Sequence, residues 1–289
     1  MTKSNFILIT FAAAILFAAG CTKERQAAPV TQTPPGTDTV VPPPPPPPPP
    51  APVLLKDIVI PNLPSPYYHF DYDVANKMKS ASFAQGLDVY NFTYDNGRIV
   101  EQVNTGPNNG DHLIYTYDDQ GRATLIRYIN FAGVVRVMVH LTFDGQRLVK
   151  LEREKKIGAD FFTDKIMTMT YHVDGNLDQI TYHYPPFNGS TDATFFERFE
   201  QYDDKVNVDG FSILHNDFFD NLVMLPGVQL QKNNPRKETL TGDAENYTID
   251  YTYTYDDLGR PLNKKGNMLI QSGPNAGQRV ETNSFFSYY

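Results

Sequence analysis

Three acid pairs are the first residues whose spacing could do chemistry: Asp118-Asp119, Asp203-Asp204 and Asp256-Asp257. Paired carboxylates can act as general acid and base, or hold a calcium ion. Each pair follows an aromatic residue at the end of a strand-like alternation, where a tight turn favours Asp for its side-chain bonds to the backbone. No segment has the Asp-x-Asp-x-Asp-Gly loop and distant Glu of a calcium site. The six histidines, His69, His112, His140, His172, His183 and His215, show no His-x-x-x-His or His-Glu-x-x-His spacing, so zinc patterns are absent. In a hairpin turning at Asp174-Gly175, His172 faces Leu177 while His183 falls near Ile166, too far apart to share a ligand. No Gly-x-Ser-x-Gly elbow or phosphate-cradling glycine loop occurs. These residues predict no catalysis, no metal and no cofactor.

Cys21, the only cysteine, carries a different chemistry. Lys3, an apolar run over residues 6–17 and the small residues Ala18-Ala19-Gly20 precede it, the layout of a secretory signal. That run is shorter than the roughly 20 residues that span a bilayer as a helix. Ala18-Ala19-Gly20-Cys21 resembles the lipobox of bacterial lipoproteins, which implies a diacylglyceryl thioether on Cys21 and cleavage before it. Thr22 in place of an aspartate implies sorting to the outer membrane. Lys23-Glu24 resembles the tags that carry such proteins to the cell surface.

The elements that position everything else begin after a tether. Residues 1–20 read as signal peptide and 21–56 as a lipidated spacer with nine consecutive prolines at 42–50. Those prolines favour an extended polyproline II rod of about 3.1 Å per residue. Asp38-Thr39-Val40 resembles the O-glycosylation acceptor of Bacteroidota lipoproteins, making Thr39 a candidate site. Residues 57–289 read as one all-β domain. The formal charge is −8, or −9 once residues 1–20 leave with one Lys and no acid, which disfavours nucleic acid as a partner.

Within that domain the chain repeats itself. Asp95, Asp118, Asp144, Asp174, Asp203 and Asp256 each follow an aromatic or aliphatic residue at a strand end, at spacings of 23, 26, 30, 29 and 53. Tyr247, Ile249, Tyr251, Tyr253 and Tyr255 alternate with polar residues, the period of a strand. An Asp/Asn-Gly turn follows, and a second strand leaves from the Arg, with Ala123, Leu125, Arg127 and Ile129 alternating. Each repeat therefore predicts one β-hairpin. About a dozen strands in an antiparallel hairpin meander must curl or close, giving a half-barrel or barrel-like sheet. Residues 208–236 break the pattern and predict one irregular or partly helical insert. Residues 282–289 predict a closing strand with Phe286 and Tyr288 on one face.

Tyr-x-Tyr-Asp-x-x-Gly-Arg, clearest around Asp95, Asp118 and Asp256, resembles the YD repeat of Rhs-type proteins and of small Bacteroidota lipoproteins. In the lipoproteins an insert ending Asn-Asn-Pro precedes the last such hairpin, as Asn233-Asn234-Pro235 does here. The resemblance implies fold and location but no biochemical activity. The expectation is an extracytoplasmic lipoprotein held to the membrane by its N-terminal lipid, acting as a non-catalytic binding or scaffold module. Its partner would be a glycan or surface protein, with Tyr251, Tyr253 and Tyr255 either a ligand platform or core packing. The alternative is a transmembrane β-barrel of the outer membrane, against which stand charges such as Lys150, Glu152 and Arg198. A glycan-binding or glycan-acting protein comes third.

Overall fold

The computed structural model describes residues 52–106, 110–219, 221–243 and 246–289. Sixteen antiparallel strands, each paired with its chain neighbours, close into a barrel when the last pairs with the first. They are β1 (Leu55–Val59), β2 (Tyr68–Tyr72), β3 (Met78–Phe83), β4 (Asp88–Asp95), β5 (Arg98–Asn104) and β6 (His112–Tyr117). Then come β7 (Ala123–Ile129), β8 (Val135–Asp144), β9 (Arg147–Ile157), β10 (Asp160–Tyr171), β11 (Leu177–Tyr184) and β12 (Ala193–Glu200). After a short helix, α1 (Phe211–Asp217), follow β13 (Lys237–Gly242), β14 (Tyr247–Tyr255), β15 (Pro261–Ile270) and β16 (Arg279–Tyr288). The all-β meander thus closes fully, with more strands than the expected dozen, because β1–β3 lack the repeat signature.

Four features recur among the repeats and fix the shape of their hairpins. The Asp side chain caps the turn: Asp118 Oδ1 accepts the N–H groups of Gln120 and Arg122 at 3.0 and 2.9 Å. Asp256 treats Leu258 and Arg260 alike, at 3.0 and 2.8 Å. The Arg122 N–H bond, helped by the guanidinium, holds the Asp118 carboxyl below the usual range. Gly121 then takes φ +81°, a left-handed conformation that glycine adopts freely. Second, a β-bulge sits just before the aromatic, between Thr93/Tyr94, Thr116/Tyr117, Thr142/Phe143, Thr170/Tyr171 and Thr254/Tyr255.

The bulge resets the inward face of the departing strand. Ala123, Ile126 and Tyr128 are buried, as are Leu148, Leu151 and Arg153, and Leu177, Ile180 and Tyr182. The spacing is i, i+3, i+5, so Leu125, Arg127 and Ile129 lie on the outer face, and the simple alternation from Ala123 is corrected. An extra residue of this kind also sharpens local twist, which helps a sheet close.

Third, the tyrosine reaches back to the preceding hairpin. Tyr94, Tyr117, Tyr171 and Tyr202 donate their hydroxyls to the carbonyls of Met78, Ile99, Leu148 and Leu177 at 2.6–2.7 Å. Fourth, the cation that opens that hairpin's second strand lies over the ring: Lys77 on Tyr94, Arg98 on Tyr117, Arg147 on Tyr171 and Arg260 on Tyr288. Burial pushes the Tyr117 and Tyr171 hydroxyls up to about 12. A Tyr and an Arg from successive repeats therefore staple neighbouring hairpins.

The Phe199–Val206 unit departs from this pattern. Tyr202 makes its staple, but Asp203 binds the Asn234 N–H (3.2 Å) and the Tyr255 hydroxyl, and no hairpin forms. Instead residues 201–236 enter the barrel from this end, and β12 pairs with β13 beyond them. The segment carries α1 and fills the lumen. Leu214, Phe218, Phe219, Val223 and Leu230 pack among Leu113, Ile126, Val139, Leu151, Met167 and Ile180 of the wall. Leu222 packs with Phe70, Tyr90 and Phe286 in a second cluster. A barrel of sixteen strands is otherwise wide enough to leave an aqueous channel.

The outer face has the opposite character. One cross-strand row runs Glu200, Lys237, Asp250, Asn267, Glu281 over five strands. A second runs Glu101, Ile114, Arg127, Met138, Glu154, Thr163, and a third His140, Glu152, Ile166, His183, Thr194. Each row carries charged or titratable groups in mid-strand. The inner wall is mainly apolar with a few buried polar groups, and the outer wall is mainly polar with scattered apolar residues such as Ile114, Met138 and Ile166.

Candidate functional site

The lumen has two ends. The Asp-Gly turns and the start of β1 share one; the turns after β1, β3, β5, β7 and β9 form the other, here called the far end. Tyr251, Tyr253 and Tyr255 line the inner wall near the first. Tyr251 donates to Glu238 Oε2 at 2.7 Å and Tyr253 to the Pro235 carbonyl at 3.0 Å. Tyr255 donates to Asp203 and accepts from Asn234 Nδ2 at 3.3 Å. Tyr253 and Tyr255 stack with ring centres 6.1 Å apart. Burial raises all three hydroxyls well above the usual tyrosine range. The stripe is therefore bonded to the filling segment and to the wall, which leaves no open platform of three rings.

Deeper in, polar side chains of the wall fasten the segment. Gln102, fully buried, donates to the Leu222 carbonyl and accepts the Met224 N–H at 3.3 Å and the Tyr115 hydroxyl at 3.0 Å. Arg153, 2% exposed, forms a bidentate pair with Asp164 (2.8 Å from Nε to Oδ1) and donates Nη1 to the Phe218 carbonyl at 2.9 Å. The Tyr68 hydroxyl and Nδ1 of His215 on α1 share a hydrogen bond of 2.7 Å. Burial lowers His215 to about 4, so its ring is neutral at pH 7.

Past Arg153 the lumen opens at the far end into a cavity of about 650 Å³. Arg136, Arg153, Lys155 and Lys156 line it with Asp111, Tyr128, Asn130, Val137 and Asn221. Asp111 is nearly buried and takes a hydrogen bond from Arg136 Nη2. Lys155 Nζ lies 3.3 Å from Asp164. Asp111, Tyr128, Arg153 and Lys155 each have further interactions. Tyr128, Val137, Lys155 and Phe162 form one inward cross-strand row, so apolar and cationic groups alternate along this wall. Of the four cations, Arg153 and Lys155 meet Asp164 and Arg136 meets Asp111, while Lys156 lies beside Phe161 on the other face of β9. The arrangement carries no nucleophile with a base beside it.

The other sequence-named residues lie elsewhere. Cys21 and Thr39 fall outside the described residues. Asp118, Asp203 and Asp256 cap turns or bind the filling segment. His183 stands opposite Ile166, as the hairpin geometry required, whereas Tyr171 rather than His172 faces Leu177. On the outer wall His69, His112, His140 and His183 each meet a carboxylate, at 2.7, 2.6, 3.1 and 2.9 Å from Asp57, Glu101, Glu154 and Asp192. No group of three metal-ligating side chains occurs among the described residues. The cavity itself escaped sequence reasoning. Its signal was Arg153-Glu154-Lys155-Lys156, the densest cationic run of the domain.

No protein-family model matches the chain, and no curated protein matches it. Solved structures do. A porin-like protein from Bacteroides uniformis aligns with a TM-score of 0.53 at 14% identity, over 77% of this chain and 89% of that one. A porin-like protein from Bacteroides vulgatus gives 0.51 at 14% identity, over 82% of this chain and 99% of that one. The Tc holotoxin pore of Photorhabdus luminescens reaches only 0.32, over 12% of its chain, too little to argue from. At these identities the likeness is one of fold: this chain shares a closed antiparallel β-barrel with the two porin-like proteins.

Proposed function

We propose that this chain is an outer-membrane lipoprotein whose filled barrel stands in water beside the membrane and binds a ligand at its far end without catalysis. The observation that carries the reading is the polar outer wall. Asp250, Glu152, Arg127 and Glu101 all point outward in mid-strand, and a charged side chain facing lipid at mid-bilayer costs about 2–4 kcal/mol. An apolar lumen closed by residues 201–236 supports the same view, since a conducting pore needs a wet one. The lipobox resemblance at Cys21 supports the anchor, and the YD-repeat resemblance supports the envelope setting.

A membrane-spanning outer-membrane barrel is the second reading, favoured by the fold shared with the porin-like proteins. One experiment separates the two. Residues 50–289 form a compact unit with its own core, and the test is to produce that unit without detergent. A monodisperse, folded monomer in buffer supports the water-facing barrel. Aggregation relieved only by detergent or lipid refutes it and favours the spanning one.

A further inference from the structure

We infer that the end of the barrel where β1 begins seats on a lipid surface through the tips of its hairpin turns, so that the far end points away from the membrane. The inference deepens the reading of this chain as an anchored lipoprotein and rests on the attachment that reading supplies.

The turn tips come first. Among the described residues four large apolar side chains are at least 76% exposed, and three of them, Val74, Val173 and Leu258, belong to turns of this end. Each stands at a corner of a turn closed by one backbone bond, Asn76 to Asp73, Gly175 to His172 and Gly259 to Asp256, at 2.9–3.0 Å. A corner side chain of such a turn projects past both strands, and polar residues are its usual occupants. The corner that holds Val74 after β2 holds Asp119 after β6. Single exposed apolar residues are ordinary, but three on one rim form a set.

Three further observations name the occupant. The turns follow β2, β10 and β14, so the tips are spread around the rim and define a plane across the end of the barrel. Separate points on one plane fit a flat, deformable surface, whereas a partner protein would need a matching hollow for each. Next, β1 starts at this end and residues 21–51 join it to Cys21. A lipid on that cysteine tethers this rim to the bilayer, and tethering makes a weak contact sufficient. Finally, the same end has two apolar clefts of about 190 Å³ each, one walled by Val53, Tyr72 and Met78, the other by Leu225 and Val228 of the filling segment. In the turns 73–77, 95–98, 118–122, 144–147, 172–177 and 256–260 Asp outnumbers Lys and Arg by eight to five. Apolar contact, not attraction to acidic headgroups, therefore holds the seat, and a zwitterionic bilayer is its partner.

The chain has no Trp, so one introduced tryptophan reports one position. The test places Val74→Trp, Val173→Trp or Leu258→Trp in the full-length protein bearing its lipid, reconstituted on phosphatidylcholine vesicles with brominated acyl chains. Phe131→Trp, at the fully exposed corner of a far-end turn, controls for the affinity of tryptophan itself for membranes. Flotation of the vesicles reports attachment; emission and bromine quenching report the seat. The expected result is blue-shifted emission at the three tips and quenching several-fold stronger than for Phe131→Trp, unchanged in high salt. Adding Val74→Asp and Val173→Asp to the Leu258→Trp protein should cut its quenching several-fold while flotation persists. Equal quenching at both ends, the pattern of a spanning or sideways barrel, overturns the inference, as does salt-sensitive quenching or indifference to the aspartates. Flotation with tips as aqueous as Phe131→Trp overturns this inference alone. Failure to float overturns the anchor reading together with it.

Discussion

Replacing Arg153 with Met tests how the filling segment is fastened to the wall. The guanidinium is 3% exposed at its side chain and the Asp164 carboxylate 7%, so neither is screened much by water. Removing the cation leaves a buried carboxylate with Lys155, 3.3 Å away and one-third exposed, in partial compensation. It also strips the Phe218 carbonyl of its Nη1 donor. Breaking a buried pair from one side costs about 3–5 kcal/mol. For a domain of this size that is a fall in Tm on the order of 6–20 °C. Arg153→Met/Asp164→Leu removes both charges and leaves the Phe218 carbonyl with only the longer bond from Lys165 Nζ, at 3.5 Å, a cost of at most about 1–3 kcal/mol. The double variant should therefore be more stable than Arg153→Met alone. The assay is urea unfolding followed by tyrosine fluorescence and circular dichroism, with all four proteins compared in one double-mutant cycle. Additive single costs, or a single variant within about 0.5 kcal/mol of wild type, would show that the pair does not hold the segment.

Three further outcomes follow from the geometry. Since His215 is lowered to about 4 from 6.5, the unfolded chain binds more protons between those values, so stability falls as pH drops through them. Between pH 8 and pH 5 the loss from this residue is about 2 kcal/mol, and His215→Leu should flatten that part of the unfolding midpoint's pH profile relative to wild type. Gly121→Ala and Gly97→Ala both force a side chain onto φ near +80°, but only at Gly121 does the new Cβ meet Arg98 Nη2, at 2.7 Å. Gly121→Ala should lower the unfolding free energy by about 0.5–1 kcal/mol more, the worth of the displaced Arg98–Tyr117 contact. In β15, Gly266→Ala would put Cβ 2.5 Å from Thr282 Oγ1 and 2.9 Å from Tyr251 Cε1, and overpacking of this kind should cost about 1–3 kcal/mol in the same assay.

Much of the fold was legible because local signals agreed. Tyr-x-Tyr alternation gave strands, Asp-x-x-Gly gave turns, and the break before Asn233-Asn234-Pro235 gave the insert. Closure was less so, because the β1–β16 pairing joins residues at opposite ends of the domain that no short window compares. The bulges hid in plain view: Leu148-x-x-Leu151-x-Arg153 reads as neither strand nor helix until one extra residue is placed at Val149. Asp203 misled because it keeps one turn-capping bond of its repeat, from the Lys205 N–H, yet its second oxygen is claimed by Tyr255, 52 residues away. The cavity could not be read at all. Its cations come from β8 and β9, its amides from the turn after β7 and from the filling segment, and only barrel closure brings them to one mouth.

The central claim is that the outer wall of the barrel meets water. Thr252, exposed in mid-strand on β14 between Tyr251 and Tyr253, is the place to ask. A nitroxide on Thr252→Cys, in the otherwise unaltered protein with Cys21 blocked by its lipid, can be read in envelope membranes by power-saturation spin resonance. A water-facing wall predicts ready collision with a soluble nickel chelate and weak relaxation by oxygen. Protection from the chelate together with strong oxygen relaxation would place that wall in lipid and contradict the account.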